Sequence, residues 1–366
     1  MGEELFSVRS GFRNGGSGQL PQPRTPHPAP HTLSQRILVI GPSNIGDAIL
    51  MSGVIAVLRR RWPEAHLTLV VGARARTLFI DDPRVQVLVD ADRFDSALGR
   101  AKLVLALWRY RPQVVVDLRH TAHPLFLKPL SVWRYLRRPP RAIAHMRERQ
   151  LWLLAVQVPA VRRVLPSASA ESPLWFMPRD ETHVETLWSR WKLDAARPVV
   201  VICPGARSHI KRWTAEGFAR AADRLIAECR AEVVFSGEPE EKAVIDEILG
   251  LMRGPAHNAV GLVTIRQLGL LMRRARLVIT NDSASLHMAS AVGAPTVAIF
   301  GPTDEAKYGP TAPHRRTVRR RLFCAPCEQP LCRFSHECMR FITPDEVCAA
   351  AAALLGRGTR DAGQER

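Results

Sequence analysis

Three stretches of this 366-residue chain carry side chains whose types and spacing suit chemistry on a phosphorylated sugar or a similar polar ligand. The first is Gly41-Pro42-Ser43-Asn44-Ile45-Gly46-Asp47, a glycine-spaced turn of the sort that cradles phosphate, with a carboxylate where such a loop carries lysine. An anion there repels phosphate. Asp47 suits accepting a proton from a substrate hydroxyl, or else it complements the N-terminus of the following helix, worth about 0.3–1 kcal/mol. The second stretch is Asn281-Asp282-Ser283-Ala284 with His287 one turn on. Free amides near Ser283 and Ala284 at a helix start can hold a diphosphate, leaving Asp282 to accept from sugar hydroxyls or to cap the helix. An Asp-Ser pair is equally an ordinary cap, and a single histidine an ordinary partnered side chain. The third is PGARSHIKRWT, residues 204–214, where Arg207 and Lys211 either neutralise a nucleoside diphosphate leaving group or are solvated loop charges. Thr214 is a good helix cap. Glu238 follows the run VVFSG, a place where an acid binds ribose hydroxyls, although Glu240 and Glu241 crowd the signal.

Two weaker groups lie elsewhere. Asp117, Arg119, His120 and His123 follow the run PQVVVDL and are placed where acceptor phosphate or sugar could enter. Cys324, Cys327, Cys332 and Cys338, with His336 nearby, have knuckle-like spacing that fits one structural zinc, free thiols or a labile disulfide.

The elements that must position these residues are legible as alternating apolar runs. RILVI, HLTLVVG and PQVVVDL read as buried parallel strands separated by helical segments such as DAILMSGVIAVLRRRWP, which ends before Pro63. The alternation restarts after Pro198 with PVVVICPG, AEVVFSG, ARLVITND and PTVAIFGP. Strand, helix, strand repeated in this way predicts two doubly wound, Rossmann-like α/β domains. The expected boundaries are a disordered tail over 1–34, an N-terminal acceptor-side domain over 35–180, and a linker region over 181–196. A C-terminal domain over 197–345 and a terminal helix and tail over 346–366 complete the chain.

Composition narrows the partners. Lys plus Arg is 52 against 34 acids, a net charge of +18, which favours phosphorylated ligands, nucleic acid or an anionic membrane. No apolar run of spanning length occurs, and the first 34 residues lack a secretory h-region, so a cytoplasmic chain is expected. Seven cysteines, four of them clustered, argue against a disulfide framework. Between Lys128 and Arg163 nine cations face one acid, Glu148, with Trp133, Tyr135 and Trp152 interleaved. That pattern suits peripheral docking at the inner face of the cytoplasmic membrane, or a solvated basic face whose aromatics join the core.

IGPSNIGDAIL, PGARSHIKRW, FSGEPEE, NDSASLHMASAVGAPTVAIFGPTD and CAPCEQPLCRFSHECM together resemble glycosyltransferase family nine, the lipopolysaccharide heptosyltransferases, in the same order from about Arg36 to about Val347. The resemblance implies a GT-B fold, two domains facing across a cleft. It also implies inverting, metal-independent transfer from a nucleotide donor, typically ADP-heptose, to a glycolipid acceptor, with no cofactor required for catalysis. On it, Asp47 is the general base, and Lys211, Asp282, Ser283, Ala284 and His287 are donor-binding. Ala206 and Arg207 contact phosphate, Glu238 the ribose, and Val263 lines the adenine pocket. The family usually carries glycine where this chain has Ala284. The rival expectations are a different donor or acceptor, a sugar-nucleotide epimerase, or a non-enzymatic binder of nucleotide sugar or nucleic acid, the last disfavoured by the two sheet halves.

Overall fold

The computed structural model describes residues 6–8, 34–165, 174–194 and 196–356. In the N-terminal half the strands are β1 (Phe6–Val8), β2 (Arg36–Ile40), β3 (His66–Val71), β4 (Val87–Asp90) and β5 (Val114–Asp117). Its helices are α1 (Ile45–Arg61), α2 (Ala73–Arg76), α3 (Ala97–Arg109), α4 (His123–Leu127), α5 (Val132–Leu136) and α6 (Met146–Gln157). Helix α7 (Pro178–Arg190) leads to the second half, whose strands are β6 (Val199–Cys203), β7 (Glu232–Phe235), β8 (His257–Asn258), β9 (Leu277–Asn281), β10 (Thr296–Phe300) and β11 (Arg315–Arg319). Its helices are α8 (Ala215–Cys229), α9 (Lys242–Leu251), α10 (Ile265–Arg274), α11 (Ala284–Ala291), α12 (Glu305–Tyr308), α13 (Glu337–Arg340) and α14 (Pro344–Leu355).

Strands such as VVVIC are apolar at every position because helices cover both faces of the sheet, and β6 is buried throughout. The first sheet runs β1-β4-β3-β2-β5 and the second β11-β10-β9-β6-β7-β8. Every described pair is parallel except β1 with β4. Strand order reverses beside β2 in the first sheet and between β6 and β9 in the second. In doubly wound sheets ligands bind beyond the carboxyl ends of the strands at such reversals. The three chemistry-bearing stretches follow β2, β6 and β9, so topology alone places them at the two binding crevices.

The halves are joined through α1. Residues Ala48 to Leu58 of this helix are all buried, because it packs on its own sheet, on α6 and on α11 of the other half. Val54, Val57 and Leu58 accordingly share one apolar cluster with Val199, Leu268 and Met288. A buried ion pair reinforces the junction: Arg266 Nε donates to Asp180 Oδ2 at 3.0 Å, and Arg266 also donates to the carbonyl of Ile80. Removing one partner of such a pair costs about 3–5 kcal/mol, since the other charge stays buried alone.

Three boundaries differ from expectation. Phe6–Val8 form an antiparallel edge strand on β4, so the segment 1–34 is not wholly without regular structure; the rest of its first 33 positions lie outside the described residues. Helix α7 begins at Pro178 with Asp180 Oδ2 accepting from Met177 N–H, so the expected boundary at 181 falls inside a helix. Helix α14 packs on α8 and on β9 to β11, which makes 344–355 part of the second layered unit; residues 357–366 lie outside the described residues.

Candidate functional site

The three stretches meet in one cleft of about 800 Å³ between the halves. Asp47 lines it from the first half; Ala206, Arg207, Lys211, Glu238, Val263, Asp282, Ser283, Ala284 and His287 line it from the second. Each wall is built around a helix N-terminus. Gly46 explains how closely the two helices approach: a Cβ there would lie 2.9 Å from His287 Cδ2 and 3.6 Å from Ala284 Cα.

On the first wall Asp47 is the third residue of α1 and half-buried. Asn44 Nδ2 donates to its Oδ2 at 3.4 Å, and Gln150 Nε2 donates to its carbonyl at 3.3 Å. Burial pushes the carboxyl above the usual aspartate range, opposed by the Asn44 hydrogen bond and by Lys211. A carboxylate made more basic in this way, opening on a cleft, has the protonation behaviour a general base needs.

On the second wall Asn281 ties two of the stretches together. Its Nδ2 donates to the Pro204 carbonyl at 2.6 Å and its Oδ1 accepts from Trp213 N–H at 3.2 Å, which fixes the 204–214 loop against the end of β9. Thr214 caps α8 by accepting from Gly217 N–H at 3.0 Å. Lys211 Nζ donates to the buried Asp282 Oδ2 at 2.6 Å, and Arg207 Nη1 crosses the cleft to Asn44 Oδ1 at 2.7 Å. Ser283 makes no side-chain capping bond to α11, so the amide end of that helix is left to the cleft. His287 is buried, and burial lowers it to about 4, so it is a neutral imidazole near pH 7.

Glu238 is paired across the cleft with Arg74, and its N–H donates to Glu241 Oε2 at 2.9 Å. Gly205 makes room for that Glu241 carboxylate, since a Cβ there would sit 1.9 Å from its Cδ. Val263 lines the same end of the cleft as Thr264, Ile265 and Leu268, an apolar surface suited to a flat base. The sequence reading missed Arg74, Ser236, Glu241 and Tyr308, which also line the cleft. Lys211 Nζ stands 5.9 Å above the Tyr308 ring, and Ser236 Oγ is buried without a hydrogen-bond partner. Arg74 could have been found, because it follows the carboxyl end of β3; Tyr308 comes from a helix whose sequence carries no such signal.

The residues expected on the acceptor side lie apart from this cleft. Asp117, Arg119 and His120 do not line this cleft. The buried Asp117 carboxylate is saturated by its own loop: it accepts from Arg119 N–H at 2.9 Å, Thr121 N–H at 2.7 Å and Thr121 Oγ1 at 2.9 Å. Its peptide group exchanges two 2.8 Å bonds with the Gln157 side chain. His120 Nδ1 lies 3.4 Å from the Tyr135 carbonyl, and Arg119 and His123 face a separate groove. Of the interleaved aromatics, Tyr135 belongs to the core, donating to the Val115 carbonyl at 3.0 Å, whereas Trp133 is exposed with Arg134 above its ring.

Cys324, Cys327, Cys332 and Cys338 line a pocket of about 300 Å³ away from the cleft. The Cys338 thiol is pushed up to about 11 by burial, with the other three cysteines adding to the effect. Among the described residues no three His, Cys, Asp or Glu side chains are grouped so as to ligate a metal, and these four cysteines are unbridged thiols. Among the described residues no helix is long and apolar enough to cross a membrane.

Comparison with known proteins gives the following. The family model described as glycosyltransferase family 9 (heptosyltransferase) matches residues 140–337. Lipopolysaccharide heptosyltransferase 2 of Salmonella typhimurium is 26% identical over 344 residues, covering 87% of this chain and 98% of that protein. Among solved structures, ADP-heptose heptosyltransferase II of Escherichia coli superposes with a TM-score of 0.67 at 24% identity, over 89% of this chain and 100% of that one. A family 9 glycosyl transferase from Veillonella parvula gives 0.71 at 21% identity, over 88% and 97% of the two chains. The fold is therefore the GT-B arrangement of two doubly wound halves.

Proposed function

The chain belongs to glycosyltransferase family 9, and from that premise we propose that it transfers a heptose from ADP-heptose to a lipopolysaccharide-core acceptor with inversion at the anomeric carbon. The observation that carries this reading is the opposition, across one cleft, of the Asp47 carboxylate and the anion-binding wall of Arg207, Lys211 and the α11 N-terminus. The donor lies with its base against Val263 and Leu268, its ribose near Glu238 and its diphosphate at the start of α11. Asp47 takes the proton from the acceptor hydroxyl as that oxygen attacks the anomeric carbon. The bond from that carbon to the diphosphate oxygen breaks, and ADP leaves with its new charge met by Arg207, Lys211 and helix amides. Those groups do the work a divalent cation does in other transferases, so turnover is expected to survive a chelator.

The acceptor is a glycolipid, and we place the N-terminal half against the inner face of the cytoplasmic membrane. Support comes from the cations of 128–163 and from exposed Trp133, Leu130 and Leu136 beside them. The test is incubation with ADP-heptose and core acceptor fragments, read by mass spectrometry. A gain of one heptose is expected; transfer only from UDP- or GDP-sugars, or release of sugar without acceptor, would overturn the assignment.

A further inference from the structure

A second large cavity, about 750 Å³, lies outside the cleft as a groove between α3 and α4 in the N-terminal half. Its walls are apolar, among them Phe94, Leu103, Val104, Leu105, Trp108 and Phe126. Trp108 Nε1 donates to the Phe126 carbonyl at 3.3 Å, which holds the two helices in register. Leu105, Trp108 and Phe126 are each more than half exposed (60%, 54% and 57%), a placement that a side chain needing only a core would not adopt. Leu98 of α3 and Leu130 in the turn after α4 are also exposed, at 67% and 96%.

Its polar members carry opposite weights. Arg100 and Arg119 line the groove against one acid, Asp95. Arg100 is steadied by donating Nε and Nη2 to the Asp95 carbonyl at 3.2 and 3.0 Å, and among the described residues neither guanidinium has an acidic side-chain partner. An apolar trough with two guanidinium groups that have no carboxylate partner among the described residues is complementary to an amphiphile that joins a hydrocarbon tail to an anionic head.

We propose that this groove seats one acyl chain of an anionic membrane lipid, with its phosphate oxygens on Arg100 and Arg119. The inference rests on the membrane-side orientation given above and adds a defined lipid site to it. The chain would anchor the N-terminal half at a fixed depth, whereas surface cations alone would leave it free to slide.

The test uses the full chain and alkyl phosphates below their micelle-forming concentrations, followed by calorimetry. Affinity should rise with tail length from octyl to decyl to dodecyl phosphate, by up to about fourfold per methylene. Inorganic phosphate and dodecyltrimethylammonium should bind at least tenfold more weakly than dodecyl phosphate. Ala101→Trp, at an exposed position that lines the groove, should weaken dodecyl phosphate at least tenfold while keeping the wild-type melting temperature. Arg100→Gln with Arg119→Gln should remove the preference for the anionic head. Equal binding by Ala101→Trp, or competition by inorganic phosphate alone at similar strength, would overturn the site. Sedimentation with phosphatidylglycerol vesicles separates the two readings. Vesicle binding by the wild type without any dodecyl phosphate binding ends the groove assignment and leaves the membrane orientation standing. Dodecyl phosphate binding without vesicle binding keeps the groove and ends that orientation.

Discussion

Helices α1 and α11 begin alike and end in different chemistry. Each follows a buried parallel strand beside the reversal of its sheet, and each has an N-cap, Asn44 or Ser283, whose side chain makes no capping bond. At the third helical position α1 has Asp47 and α11 has the buried Leu286. The positive end of α1 is thus occupied by the protein's own carboxylate, and the same end of α11 is left for an anion from outside. On the proposed function, that one residue difference separates a proton acceptor from a phosphate receptor, and the close contact at Gly46 and His287 sets the two face to face.

If the walls divide the work in this way, substitutions should fail in different measurements. Asp47→Ala is expected to lower the rate of heptose transfer by about 10²–10⁴-fold, the range for losing a general base, read as initial rate of product formation. Lys211→Met leaves Asp282 without its cation and removes a charge-assisted contact, so donor affinity should weaken by about ten- to a hundredfold in a calorimetric titration. Unchanged affinity would remove Lys211 from the donor wall.

Gly46→Val tests the contact between the walls: with a Cβ already 2.9 Å from His287, two further methyls should cost about 1–3 kcal/mol, read from the denaturation midpoint. The smallest effect is in pH. Transfer needs Asp47 ionised, so kcat/KM should climb as pH rises through its pKa, and burial puts that limb above the ordinary aspartate range. The Asn44 hydrogen bond lowers this pKa, so Asn44→Ala should move the limb upward and slow the enzyme on the acid side. A downward move would contradict the assignment of the limb to Asp47. His287, neutral down to about pH 4, should contribute no limb near neutrality.

The sequence disclosed strands that helices cover on both faces, because burial on two sides leaves an unbroken apolar run such as VVVIC. It did not disclose β4 or the edge strands β1, β8 and β11, although it did disclose the edge strand β5. RRTVR of β11 is mostly exposed and charged, and the two-residue β8 is too short to have a period. The cleft was legible where residues directly follow a strand at a sheet reversal, as Asp47, Arg207 and Asp282 do. Arg74 and Tyr308 sit on the short helices α2 and α12; the first follows the end of β3 and carried a signal, whereas only the folded chain brings Tyr308 alongside Lys211. Asp117 shows the reverse case: it ends β5, a position that matches that of a site residue, and the amides two and four residues on bond its carboxylate. Nothing in the spacing distinguishes an acid that serves a ligand from one that holds its own loop.

The division of labour between the walls is tested most directly by titrating ADP into the Asp47→Ala protein. The affinity should match the wild type within about twofold while transfer is lost, since the diphosphate is held by the opposite wall. A Kd weakened tenfold or more, or turnover retained at the wild-type rate, would contradict a carboxylate that acts on the acceptor and leaves the donor to α11.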